Sequence, residues 1–186
     1  MKLTKREIFT IPNILSYIRL LLIPVFVYIY ITANSTNDYY IAAIIILISG
    51  LTDMFDGLIA RKFNQITELG KAVDPIADKL TQAAIVGCLV FRYEYMWILV
   101  VLLVVKELFM GINGLILLNR GRKLDGAMWF GKASTAVFYA ATFILIAFPE
   151  INIHVASLLM LVTGIFLSLS FVLYIPEFLK LYRNES

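Results

Sequence analysis

Charge is scarce in this sequence. Only 16% of the 186 residues are Asp, Glu, Lys or Arg, while 61% are hydrophobic. A soluble domain is roughly 25% charged and about half apolar. A free-standing soluble domain is therefore excluded, and the mean hydropathy of +0.86 reads as a membrane protein. Cysteine is scarcer still: Cys88 stands alone, so no intrachain disulfide can form. Lying in an apolar run, it reads as a small core residue. Long polar linkers are also missing. Six spans of about 20 apolar residues fill the chain with little left over, which predicts a single membrane-embedded domain over residues 1–186. No small-residue cleavage site cleanly ends the first apolar run, so that run is expected to stay in the bilayer.

What the chain does contain is aromatic and apolar. Thirteen Phe and ten Tyr suit a helical bundle with lipid-facing and interfacial rings. Hydropathy predicts helices over about 11–33, 39–62, 73–91, 96–118, 128–148 and 153–174, with room for the last to continue after Pro176 along the surface. Residues 2–10, with Lys2, Lys5 and Arg6 among Leu3, Ile8 and Phe9, read as a short amphipathic surface helix. With six spans both termini share a side. That side holds Lys2, Lys5, Arg6, Arg61, Lys62, Lys71, Arg120, Arg122, Lys123, Lys132, Lys180 and Arg183, against Arg92 opposite. The positive-inside rule then makes the termini cytoplasmic in the cell membrane. His154 reads as an ordinary interfacial side chain.

The few charges are concentrated. Asp53 and Asp56 are three residues apart near the exit of the second span; Asp74 and Asp78 are four apart at the start of the third. Residues at these spacings share a helix face, so two helices joined by a turn around Gly70 would each present a pair of carboxylates. Four carboxylates held together repel one another unless divalent cations lie among them. Carboxylate oxygens are hard ligands that suit Mg²⁺, Mn²⁺ or Ca²⁺, and two-metal sites of this kind handle phosphates. A cavity opening to the cytoplasm at the membrane boundary would reach a soluble phosphate compound and a lipid together. Arg19 and Lys106-Glu107, deep in apolar runs, are expected to face a polar interior, with Lys106 and Glu107 pointing in different directions.

The stretch from Asp53 to Asp78 fits Asp-x2-Asp-Gly-x2-Ala-Arg-x8-Gly-x3-Asp-x3-Asp without mismatch. It resembles the signature of the CDP-alcohol phosphatidyltransferases, and the Ile11-Pro12-Asn13 start extends the likeness. The resemblance implies transfer of a phosphatidyl or similar group from a CDP-linked donor to an alcohol, with release of CMP. It implies Asp53, Asp56, Asp74 and Asp78 as ligands of two Mg²⁺ or Mn²⁺ ions, and Asp78 also as the base for the acceptor hydroxyl. It implies contact with the CDP donor by Asn13, Asp53, Gly57, Ala60, Arg61 and Gly70, and assembly as a homodimer; nucleic acid is not an expected partner. The start Thr10 to Arg19 and the Gly131-Lys132-x2-Thr135 element are similar to the phosphatidylglycerophosphate synthase branch, whose donor is CDP-diacylglycerol and whose acceptor is sn-glycerol 3-phosphate. Arg19, Arg120, Lys132, Ser134 and Thr135 could hold that phosphomonoester. Lys106 stands where many members of the branch carry arginine and loses the two-point grip. Cardiolipin synthase, which uses phosphatidylglycerol, and phosphatidylinositol phosphate synthase remain alternatives within the family. A cation channel or transporter is the alternative outside it.

Overall fold

A computed structural model describes residues 9–183 apart from 64, 66 and 122–127, and the side chains of Arg61 and Lys71 lie outside the described set. Six helices and no strands occur among the described residues: α1 (Ile11–Ile31), α2 (Thr36–Lys62), α3 (Glu68–Val90), α4 (Met96–Asn119), α5 (Trp129–Ala147) and α6 (Ile153–Arg183). Five of them, all but α3, are long and apolar enough to cross a membrane. In α3, Glu68, Lys71, Asp74, Asp78 and Lys79 crowd the first half, leaving an uninterrupted apolar run too short for the same criterion. The all-helical, multi-pass architecture agrees with the sequence reading. The surface helix expected over 2–10 falls almost wholly outside the described residues.

Local chemistry sets the helix ends. Pro12 occupies the first turn of α1, where its missing N–H leaves no intrahelical bond unmade. The turn into α2 is a capping box: the Asp38 carboxylate accepts from the Ser35 N–H at 2.9 Å and from the Asn34 N–H at 3.0 Å. At α3 the structure corrects the expected boundary. Thr67 is the N-cap, its Oγ1 accepting from the Gly70 N–H at 2.9 Å. The helix therefore begins at Glu68, about a turn earlier than hydropathy suggests. Gly70 lies inside it rather than in a joining turn, and Pro75 is interior rather than N-terminal. Likewise α6 runs unbroken through Pro176 to Arg183.

The chain divides into two compact units. The first comprises residues 1–92 and 143–150. Here α1 packs against both α2 and α3, around a core that includes Phe26, Ala42, Ala43, Ile46, Ala77, Ile85 and Leu89. The small alanines allow close helix approach, which drives packing where lipid removes the hydrophobic incentive. At one end, Tyr30 meets Tyr39 edge-on at 5.5 Å, and Arg92 lies 4.8 Å over the Tyr39 ring while donating to the Pro149 carbonyl at 2.6 Å. Cys88 is buried, as expected.

The second unit comprises residues 93–142 and 151–186. In it α4 packs against α6. Phe109 contacts Phe171 and Phe178 edge-on at 5.1 and 5.5 Å, and Phe130 contacts Tyr174 at 4.7 Å. An apolar cavity of about 650 Å³ opens between the first halves of α4 and α6, lined by residues such as Leu99, Leu102, Met160 and Gly164. It contains no carboxylate, so it does not supply the chemistry read from the sequence. In both units many large apolar side chains face outward, among them Leu21, Ile31, Leu108, Leu115 and Leu158. An apolar surface this extensive is unusual in water and ordinary in a bilayer.

Candidate active site

The helical spacing acts as expected. On α2, Asp53 and Asp56 share a face toward α1; the Asp53 side chain is 50% exposed and that of Asp56 only 5%. On α3, Asp74 faces α1, where Ser16 reaches it, and Asp78 follows one turn later. All four carboxylates belong to the first unit.

Each carboxylate has a partner. Arg19 of α1 is buried and sends its guanidinium between the α2 pair: Nη1 lies 2.8 Å from Asp53 Oδ1, and Nη2 donates to Asp56 Oδ2. Ser16, one turn earlier on α1, donates its hydroxyl to Asp74 Oδ1. Gln82, one turn after Asp78, donates Nε2 toward both Asp78 oxygens at 3.2 and 3.3 Å. Lys79 Nζ lies 3.6 Å from Asp78 Oδ2. Among the described side chains, Arg19 and Lys79 are cations that pair with the cluster.

The donor chemistry fits hard divalent cations: four carboxylates, all oxygen. As the side chains stand, no three His, Cys, Asp or Glu groups among the described residues are gathered to hold an ion. Three of the four carboxylates are instead held by Arg19 and Ser16.

The small positions of the signature differ in kind. A Cβ added at Gly70 would lie 2.6 Å from Asn13 Oδ1, so α1 and α3 meet there too closely for alanine. Asn13 is buried, and Thr67 bridges the contact, donating to Asn13 Oδ1 at 3.2 Å while capping Gly70. Beside Gly57, a Cβ would meet nothing within 4 Å. Gly57 and Ala60 are half-buried, and Gly57 borders open space, unlike Gly70. The Arg61 side chain lies outside the described residues.

The remaining expected residues lie in the second unit. Arg120, at the end of α4, is exposed and stacks 5.5 Å from the Tyr182 ring. Lys132 is exposed on the first turn of α5. Ser134 is buried and Thr135 half-buried; their hydroxyls donate to the Gly131 carbonyl at 2.9 and 3.1 Å. Arg19, expected beside them at the acceptor, is engaged with the aspartates. Lys106 is buried, but contrary to the expected divergence its ammonium reaches Glu107 Oε1 at 3.3 Å, because a flexible four-carbon stem can bend to its neighbour. Thr67 and Gln82 were not singled out from the sequence, and Ser16 entered only as part of the Thr10 to Arg19 start, with no role assigned to it. A signal existed for Ser16, which shares a helix face with Asn13 and Arg19 at three-residue spacing.

The family model for CDP-alcohol phosphatidyltransferase matches residues 9–174. The chain belongs to the CDP-alcohol phosphatidyltransferase family. Relatives of this family member carry two kinds of name. A Mycobacterium tuberculosis protein named provisionally as a cardiolipin synthase is 34% identical over 149 residues, covering 80% of this chain and 67% of that protein. A Wigglesworthia glossinidia brevipalpis protein named CDP-diacylglycerol–glycerol-3-phosphate 3-phosphatidyltransferase is 28% identical over 186 residues, covering 94% and 98%. An Escherichia coli K12 protein of the same name is 29% identical over 153 residues, covering 81% and 84%. This phosphatidyltransferase is thus a membrane transferase of phospholipid synthesis, with the family signature laid out on α2 and α3.

Proposed function

We propose that the protein transfers the phosphatidyl group of CDP-diacylglycerol to sn-glycerol 3-phosphate, forming phosphatidylglycerophosphate and CMP. The observation that supports this reading is the hold that one face of α1 has on three signature carboxylates, Asp53 and Asp56 through Arg19 and Asp74 through Ser16. The glycerol-3-phosphate name of two relatives, matched over 98% and 84% of their length, supports the acceptor.

In this reading the four aspartates hold two Mg²⁺ or Mn²⁺ ions, which when bound would polarise the phosphoryl oxygens and stabilise the departing CMP. Asp78 removes the proton of the acceptor hydroxyl, its carboxylate oriented by Gln82. The acceptor oxygen forms the new bond to the lipid-bearing phosphorus as the bond to the CMP oxygen breaks, so direct displacement needs no covalent enzyme intermediate. Gly57, Ala60 and Arg61 border the donor, while Asn13, packed on Gly70, fixes α3 behind them rather than touching the donor. Lys132 and Arg120 supply positive charge for the acceptor phosphate, with Ser134 and Thr135 as hydrogen-bonding neighbours. Six spans, a cytoplasmic site and termini, and a homodimer complete the proposal.

A second reading has a specific observation behind it: the cardiolipin synthase name of a 34% identical relative. Purified protein with CDP-diacylglycerol and Mg²⁺ would be given glycerol 3-phosphate, phosphatidylglycerol or inositol phosphate separately. CMP release with glycerol 3-phosphate alone is expected. Release with phosphatidylglycerol alone would move the protein to cardiolipin synthesis, and release with inositol phosphate alone to the third branch. No release with any of them would return attention to ion transport.

A further inference from the structure

The buried face of α1 carries three polar side chains in an otherwise apolar helix. Asn13, Ser16 and Arg19 follow one another at three-residue spacing, and each is at most 1% exposed. Each reaches a different part of the site: Asn13 the Thr67–Gly70 cap of α3, Ser16 the Asp74 carboxylate, and Arg19 the Asp53–Asp56 pair. Buried polar groups on a membrane helix are costly without partners and concentrate where function needs them. None of these three belongs to the stretch from Asp53 to Asp78.

We propose that this face of α1 positions the site carboxylates, Ser16 orienting Asp74 and Arg19 holding Asp53 and Asp56 together as their built-in counter-cation. The inference rests on the reading of the aspartates as metal ligands. Ser16 has one hydroxyl proton, and its Oγ lies 3.1 Å from the Pro12 carbonyl as well as against Asp74. The charged acceptor makes the stronger bond, so the proton goes to Asp74. Arg19 uses two different nitrogens for two carboxylates one helical turn apart. Only a planar fork does this; an ammonium presents a single point charge. With Arg19 committed here, its role is to fix the spacing and charge of the pair rather than to bind the acceptor phosphate. Groups that hold a ligating carboxylate in place commonly set metal affinity over about 10–100-fold.

The test uses Mn²⁺ alone as probe, with the full-length protein in detergent. Free Mn²⁺ is read by electron paramagnetic resonance, and the melting temperature is measured in EDTA and in excess Mn²⁺. Ser16→Ala is expected to fold and to weaken Mn²⁺ binding about tenfold. Arg19→Gln is expected to melt lower in EDTA, to regain much of the loss in Mn²⁺, and to leave the acceptor KM within about twofold of wild type. Arg19→Lys should restore the melting temperature in EDTA but not the Mn²⁺ affinity. Wild-type affinity in both Ser16→Ala and Arg19→Lys would overturn the positioning role while leaving the metal reading intact. A raised acceptor KM with unchanged Mn²⁺ affinity in Arg19→Lys would return Arg19 to the acceptor. Failure of the wild-type protein to bind Mn²⁺ would overturn the metal reading and this inference with it.

Discussion

Asp78 and Asp56 illustrate how one residue type takes different duties from its surroundings. Asp56 is buried against Arg19, whereas Asp78 is partly exposed and oriented by an amide. Asp78→Asn should therefore keep Mn²⁺ and donor binding better than Asp53→Asn or Asp56→Asn, yet lose turnover by at least about 100-fold. Substantial CMP release by Asp78→Asn would show that it is not the base. Lys132 is exposed on the first turn of α5. Lys132→Ala should raise the acceptor KM about tenfold, the worth of one charge-assisted hydrogen bond, with the donor KM little changed. An unchanged acceptor KM would remove Lys132 from the pocket. The carboxylate faces were legible from spacing alone, because three- and four-residue intervals carry directional meaning on a helix. Their partners were not: Ser16 and Asp74 are 58 positions apart, and Arg19 and Asp56 are 37 apart. A polar residue in an apolar helix announces that it faces inward without saying what it meets.

At the scale of the element, α3 matters most. Five helices were readable as apolar runs, whose ends fall where polar turns interrupt them. The start of α3 was not readable in that way, because its first turns are polar and its boundary is set by Thr67 rather than by hydropathy. Thr67 joins two jobs, capping α3 and tying it to Asn13. Thr67→Ala should lower stability by about 1 kcal/mol as a lost cap, and Thr67→Ser should recover most of it; equal melting temperatures for all three proteins would contradict the cap. Gly70→Ala has a harsher cause, since the added methyl would press on Asn13 Oδ1 at 2.6 Å. Forcing a methyl into so close a contact typically costs about 1–3 kcal/mol. Gly57→Ala, with open space beside it, should leave the melting temperature near wild type while weakening donor binding. A stability loss at Gly57 equal to that at Gly70 would contradict the distinction.

For the whole molecule, the sequence conveyed a membrane bundle but not its division into two units. That boundary leaves no compositional trace: it passes between Arg92 and Tyr93, within α5 between Thr142 and Phe143, and between Glu150 and Ile151, in each case without a long linker. Orientation is open to direct test, because the single native cysteine is buried. In intact cells, a thiol reagent that does not cross membranes should label Ser35→Cys, whereas Lys180→Cys should require permeabilisation. Labelling of Lys180→Cys from outside would reverse the proposed topology. The most direct measurement follows labelled glycerol 3-phosphate into the lipid phase, using purified protein, CDP-diacylglycerol and Mg²⁺. The expected result is a labelled lipid bearing a phosphomonoester, formed in step with CMP and abolished by EDTA or by Asp78→Asn. CMP formed while all the label stays in water would contradict glycerol 3-phosphate as the acceptor.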